Sequence, residues 1–497
     1  MNEKNMQNVR NVDVLIVGGG PAGLAAALRL WEKGIRNILL VEREKRLGGI
    51  LRQCIHDGFG LARFGESLSG PEYAGRFTEK LEEYGIPFLT DAAVYQITPE
   101  KIVTVVTKKG LLTFQTKAVI LAMGCRERTQ GALAIPGERP AGVFTAGTAQ
   151  AYMNLYNRMP AREVVILGSG DIGLIMARRL TLEGAHVHAV FEIQPYPSGL
   201  ARNLQQCLRD YGIPLYLSHT VTEIHGSSRL EGVTVSEVDE HLRPVPGTEQ
   251  YIACDTLILS AGLIPENELS LEAGVILDPR TKGAVVDEHL QTSVPGIYAA
   301  GNVLHVHDLA DYVSEEAELL ADAVVSGLQE NDAQEEKIPI RAGEGIHHTV
   351  PQKTGGREPF LLSFRVTRPM QDVEIVVRLA DQVLLRKRRK RVVPAEMLRF
   401  PIQPFLNAVQ KSGEAEVESP SEYRNRAAQE SPSGYRNRAA QESPSGHRNR
   451  AAQESIPENR NRTEDGMCEE NSDRPAQEIV VEIRKIMPDE GFGKEVE

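Results

Sequence analysis

The chain has 497 residues, 41% of them hydrophobic, and a formal net charge of −12. That length suggests roughly three domains, the apolar content suffices for a sizeable core, and the acidic balance argues against general nucleic-acid binding. No apolar run reaches the ~20 residues that span a bilayer, which excludes a transmembrane helix, and the N-terminal MNEKNMQNVRN carries no apolar secretion signal.

The first predicted strand, Val14 to Val17, runs into Gly18-Gly19-Gly20-Pro21-Ala22-Gly23. This is G-x-G-x-x-G at Gly18, Gly20 and Gly23, followed by an Ala/Leu-rich helix and a second apolar strand, Ile38 to Val41. Glu42 ends that strand 19 residues after Gly23, the spacing of a dinucleotide fold. The first glycine allows the turn, the second admits a pyrophosphate, and the third lets helix and strand pack. The helix N-terminus then offers free N–H groups and a positive dipole end. A glycine-rich loop from Arg46 to about Phe77 follows, suited to passing close to a ligand. A polar helix is predicted over Tyr73 to Tyr84, then strands at Phe88–Leu89 and Ala92–Ile97. A hairpin, Ile102–Thr107 and Leu111–Gln115, precedes a buried strand at Ala118–Leu121 that ends in Ala122-Met123-Gly124.

The same pattern recurs. VVILGSGDIGLIMARRLTLEGAHVHAVFE contains Gly168, Gly170 and Gly173, and Glu192 again lies 19 residues past the third glycine. The unit closes with a strand ending in Ala261-Gly262. Two complete fingerprints indicate two dinucleotides, a flavin and a nicotinamide, held by an internal duplication. Then a strand at Ile297–Ala300 turns at Gly301-Asn302 into a helix over roughly Leu309 to Leu328.

With its two fingerprints, two small-residue strand ends and T-x-x-P-G-I-Y-A-A-G, the chain resembles the pyridine nucleotide-disulfide oxidoreductase superfamily over about residues 12 to 330. GGILRQCIHDGFG and GNVLHVHDLADYVS are most similar to FAD-dependent oxidoreductases associated with bacterial anaerobic glycerol-3-phosphate dehydrogenases, and more distantly to opine and sarcosine oxidase α-subunits. The resemblance implies an α/β fold of two nested Rossmann-like domains. FAD would be held by residues 1–128 and 263–335, with NAD held by residues 129–262. It implies FAD contacts from Gly18, Gly20, Pro21, Ala22, Gly23, Glu42, Arg43, Gly49, Val94, Ala122, Gly124, Gly301 and Asn302. It implies NAD contacts from Gly168, Gly170, Asp171, Ile172, Gly173, Glu192 and Gly262. Asn302 departs from the superfamily's Gly-Asp at this turn.

Residues 336–411 and 476–490 read as a small β domain, with a hairpin around Ala380-Asp381-Gln382. Its basic run, Arg386 to Arg391, is a solvated edge strand or a docking surface for an acidic partner or membrane. Between these pieces, residues 412–475 form a low-complexity insertion in which PSEYRNRAAQES, PSGYRNRAAQES and PSGHRNRAAQES repeat with period 12. Lacking core-forming residues, it reads as disordered.

The five cysteines, Cys54, Cys125, Cys207, Cys254 and Cys468, contain no C-x-x-C or C-x₄-C pair. They fit a reducing cytoplasm and give no disulfide framework or metal-cluster spacing. The disulfide-exchange half of the superfamily's mechanism is therefore in doubt. Cys54 with His56 would make an activated thiolate, or else a packed thiol and a hydrogen-bonding histidine. His307, with His305 and Asp308, precedes the helix that in relatives points at the flavin; a metal is not expected there, since a third ligand is missing. Glu192 would repel a 2′-phosphate, favouring NADH over NADPH, with Arg178, Arg179 and Arg202 as counterweights. The expected activity is hydride transfer from NADH to FAD, then electron transfer to an unidentified partner protein, quinone or small oxidant. The alternative is an electron-transfer subunit of a multi-subunit dehydrogenase or oxidase; a homo-oligomer stays open.

Overall fold

The computed structural model describes residues 9–329, 336–406 and 478–486. The repeat insertion expected over 412–475 lies outside the described residues.

The first sheet is built on short, fully apolar strands. Ile38–Val41 is buried at all four positions, as suits a parallel strand covered on both faces. It runs parallel to Val9–Val17, which runs parallel to Gly110–Leu121. Phe88–Leu89 flanks Ile38–Val41, and Ile297–Ala299 adds to the carboxyl half of Gly110–Leu121. The amino half of that same strand instead pairs antiparallel with Ile102–Thr107. Sequence patterning divided it in two because its partners and burial change midway. The register sets Val17 level with Val41 and Leu121, and Leu121 level with Ala299. Gly18, Glu42, Ala122 and Gly301 therefore emerge along one sheet edge, where ligands of open α/β sheets lie.

Helix Pro21–Glu32 packs on this sheet beside helix Ala310–Gln329, to which Arg29 is clamped by two bonds to Asp322, at 2.8 and 2.7 Å. The polar helix starts at Gly70, ahead of its predicted Tyr73, because Ser69 and Glu72 form a reciprocal capping box.

The second unit repeats the plan. Its parallel sheet has the order Val143–Thr145, Thr256–Leu259, Glu163–Leu167, His186–Glu192, Leu215–Leu217. Leu167 is level with Leu259 and Phe191, so the second fingerprint and Glu192 also share an edge. A three-stranded antiparallel sheet, His219–His225, Gly232–Glu237 and Gln250–Ala253, accompanies it.

The C-terminal part is all β. Ile479–Lys485 lies between Ile338–Ala342 and Met370–Leu379 in a five-stranded sheet. Ile346–Val350, Phe360–Val366 and Leu398–Ile402 form a second sheet, and both contribute to one core around Phe364, Ile375 and Val481. The basic run occupies Gln382–Val392, which among the described residues pairs only with Met370–Leu379, at the sheet edge, and Arg386 and Arg388 reach Glu374. That arrangement favours the solvated edge strand.

Candidate active site

At the first edge, two of the three fingerprint glycines are explained by the protein alone. Gly18 has φ +106°, and a Cβ there would lie 2.4 Å from the Ala122 carbonyl oxygen. A Cβ on Gly23 would lie 1.9 Å from Gly18 O. Gly20 is different: its φ is −79°, and a Cβ would find no protein atom within 4 Å. Nothing in the fold requires glycine there, whereas an anion approaching the backbone of the helix N-terminus would. Gly49 closes over the turn, since its Cβ would meet Gly20 Cα at 2.9 Å. Pro21 and Ala22 open the helix, with Pro at a position where no N–H is missed.

Glu42 is buried, yet its two oxygens accept only one hydrogen bond each, from Gly19 N–H and Glu44 N–H, both at 2.7 Å. Each oxygen keeps a lone pair, enough for the two hydroxyls of one ribose. Arg43 points into solvent, and Val94 is half-buried in Ala92–Ile97. Ala122 N–H is spent on Val17 O, and Gly124 O accepts from Glu266 N–H.

Gly301 N–H donates to Glu316 Oε1 at 2.8 Å. The other Glu316 oxygen lies 2.6 Å from His305 Nε2 and 3.3 Å from His307 Nε2. Burial works to raise the Glu316 carboxyl, but His307 and His305 outweigh it and hold it well below the usual carboxylate range. Burial lowers His305. Sequence reasoning found both histidines but missed Glu316, the third potential ligand, which arrives from the following helix. It also missed Asp311, whose carboxylate accepts from the N–H groups of Gly60, Ala62 and Arg63 and so pins the glycine-rich loop. Asn302 Oδ1 accepts from His307 N–H at 3.0 Å, and its Nδ2 faces Cys125 Sγ at 3.6 Å. The amide thus braces its own turn while retaining one acceptor site.

Of the two readings of Cys54 and His56, the geometry agrees with the packed thiol and the hydrogen-bonding histidine. Cys54 Sγ donates toward Ile50 O at 3.4 Å and Gln150 Oε1 at 3.7 Å, while His56 Nδ1 faces Asp57 O at 3.2 Å. With no base beside it, the Cys54 thiol is pushed by burial up to about 12. Burial also lowers His56, against the bond to Asp57 O.

The second edge is more crowded. Gly168 has φ +97°, and its Cβ would meet Ser260 O at 2.2 Å; Gly173 packs on Ser260 as well, its N–H donating to Ser260 Oγ. Gly170 faces the same residue at 3.3 Å. Glu192, the implied NAD contact, is already engaged: Oε2 accepts from Ser169 N–H, Ser169 Oγ and Ser198 Oγ, and Oε1 from Gln194 N–H. One lone pair, on Oε1, remains. Asp171 Oδ1 accepts from Leu200 N–H and Asn203 Nδ2, so the loop after Glu192 is tied to the fingerprint turn beside the half-buried Ile172. Gly262 O accepts from Arg128 N–H. Two of the three arginines are engaged elsewhere, Arg178 with Tyr211 and Arg179 with Glu183, while Arg202 lies beside Gly58.

Two glycine turns, each facing a buried glutamate at the carboxyl edge of a parallel sheet, define a protein built for two dinucleotides. The pattern of the pyridine nucleotide-disulphide oxidoreductase family matches residues 12–327, and the chain belongs to that family. It is 28% identical to the hydrogen cyanide synthase subunit HcnB of Pseudomonas protegens over 59% of this chain and 66% of that one. It is 27% identical to an opine oxidase subunit of Agrobacterium tumefaciens over 58% and 61%. Each match spans less than two thirds of the relative. The crystal structure of T. acidophilum thioredoxin reductase superposes with a TM-score of 0.54 and 25% identity, covering 65% of this chain and all of that one. Among the described residues no helix is long and apolar enough to cross a membrane.

Proposed function

We propose that the first edge, within residues 1–128 and 263–335, holds FAD, and that the second, within residues 129–262, holds NADH. The open backbone at Gly20 beside a half-satisfied Glu42 carries the FAD assignment: an anion and a ribose fit where the fold leaves room and acceptors. Bound there, FAD supplies hydride acceptance. Gly18 to Gly23 cradle its pyrophosphate and Glu42 fixes its adenosine ribose. Asp311 holds the loop that covers it, and the helix beginning at Ala310 presents its positive end. Electrons then leave for an acceptor outside the chain, either a partner protein, a quinone or a small oxidant. This route is supported by Cys54, whose sulfur has no neighbouring cysteine pair in sequence and no base in space. A second reading, an electron-transfer subunit of a larger dehydrogenase or oxidase of the glycerol-3-phosphate or opine type, draws on relatives that are themselves named as subunits. Anaerobic titration of the yellow protein with NADH separates them. Rapid bleaching followed by reoxidation with added quinone supports the first reading. A flavin that NADH leaves oxidised overturns it.

A further inference from the structure

The nucleotide edge uses the carboxyl ends of the second sheet's strands, and a separate cluster sits at the amino ends. Glu163 opens Glu163–Leu167 and His186 opens His186–Glu192, and the two are register partners. His188 joins them through an irregularity. Val164 pairs with Val187 but Val165 pairs with Ala189, so the ladder skips His188. Such a bulge re-aims the side chain it carries. As a result Glu163 Oε2 lies 2.9 Å from His186 Nδ1 and 2.9 Å from His188 Nε2, and the two imidazoles are 4.4 Å apart. His188 Nε2 is sealed from solvent and approaches the carboxylate outside good hydrogen-bond geometry. A nitrogen cut off from water and poorly paired carries a desolvation cost that a shared cation would remove.

We propose that Glu163, His186 and His188 form a binding site for a divalent transition metal of the zinc class, with water completing the coordination. The three ligand atoms all lie within 4.8 Å of one another. In a tetrahedral zinc site with bonds of about 2.0–2.1 Å, neighbouring ligand atoms stand about 3.3 Å apart, so the two glutamate–histidine distances of 2.9 Å need to open by only a few tenths of an ångström. Two imidazoles and one carboxylate suit zinc, copper or nickel better than magnesium or calcium. Asp255, whose Oδ1 accepts from Arg162 N–H and Glu163 N–H, adds negative potential nearby. The buried trio His305, His307 and Glu316 differs in that its second carboxylate oxygen is committed to Gly301 N–H and so braces the turn of the first edge. The Glu163 cluster stands about 20 Å along its strand from Glu192, at about 3.3 Å per residue, so it does not depend on either nucleotide.

The test uses the full flavin-loaded chain, stripped with a chelator and titrated calorimetrically with Zn²⁺. Wild type is expected to bind one equivalent. His188→Ala and Glu163→Gln should each weaken that binding at least about tenfold, equivalent to about 1.4 kcal/mol, without changing flavin content or NADH reduction. Affinity should also fall as pH drops below about 6.5, where histidine protons compete. Wild type that takes up no Zn²⁺ at micromolar concentration would overturn the proposal, as would binding that both variants leave intact.

Discussion

The three glycines of the first fingerprint make different demands, and substitution should separate them. A Cβ at Gly20 meets no protein atom within 4 Å, so flavin-free Gly20→Val should melt close to flavin-free wild type while retaining no FAD. Gly23→Ala drives a Cβ into Gly18 O and should destabilise the protein by on the order of 3 kcal/mol. Absorbance of the purified variants and their thermal melts check both, and a yellow Gly20→Val protein would refute the assignment. Glu192 makes a second case. A 2′-phosphate about 4 Å from its carboxylate costs about 1 to 4 kcal/mol, so NADH should reduce the flavin at least about tenfold faster than NADPH. Glu192→Gln should narrow that ratio in anaerobic stopped-flow measurements. These glycines and glutamates were legible in the sequence because motif spacing fixes their place on a strand edge. Glu316 and Asp311 were not: both lie on a helix that carries no motif, and Asp311 acts on a loop 251 positions away at Gly60.

Among the larger elements, the strand Ile479–Lys485 contributes most from the least sequence. It buries Ile479, Val481 and Ile483 and pairs on both sides. Its alternation marked it as a strand, but no local signal could name partners lying beyond a long low-complexity insertion. Deleting residues 416–474 should leave melting temperature and flavin content nearly unchanged. The residues kept between Leu406 and Glu478 still reach about 40 Å. Removing 478–486 as well should lower the melting temperature sharply, because two strands lose their shared neighbour. Equal melts for the two deletions would show that the strand is dispensable. The polar helix was placed late for a related reason: the Ser69–Glu72 box lies ahead of the first apolar position and is visible only as a motif.

At the scale of the whole molecule, acid stability should depend on a histidine outside the proposed redox path. Burial, with His305, His347, Arg365 and Arg280 nearby, lowers His348 to about 2. An unfolded histidine titrates near 6.5. The unfolded chain therefore takes up this proton first, and stability is lost as pH falls below about 6.5, by up to about 1.4 kcal/mol per pH unit. His348→Gln should flatten the fall in melting temperature between about pH 7 and about pH 5; identical slopes would show that other groups set it. The nested plan was readable from the duplicated pattern. His348 was not, because its burial comes from packing in the β part of the chain, which carries no motif.

The central position of Ile479–Lys485 also bears on how the protein is made. Ile338–Ala342 and Met370–Leu379 leave the ribosome long before their common neighbour, separated from it by on the order of ten seconds of translation at about 5–20 residues per second. Throughout that interval both strands expose bare edges that any nascent chain could pair with. The basic edge strand Gln382–Val392, already hairpinned to Met370–Leu379, gives the growing sheet a charged flank while it waits to close.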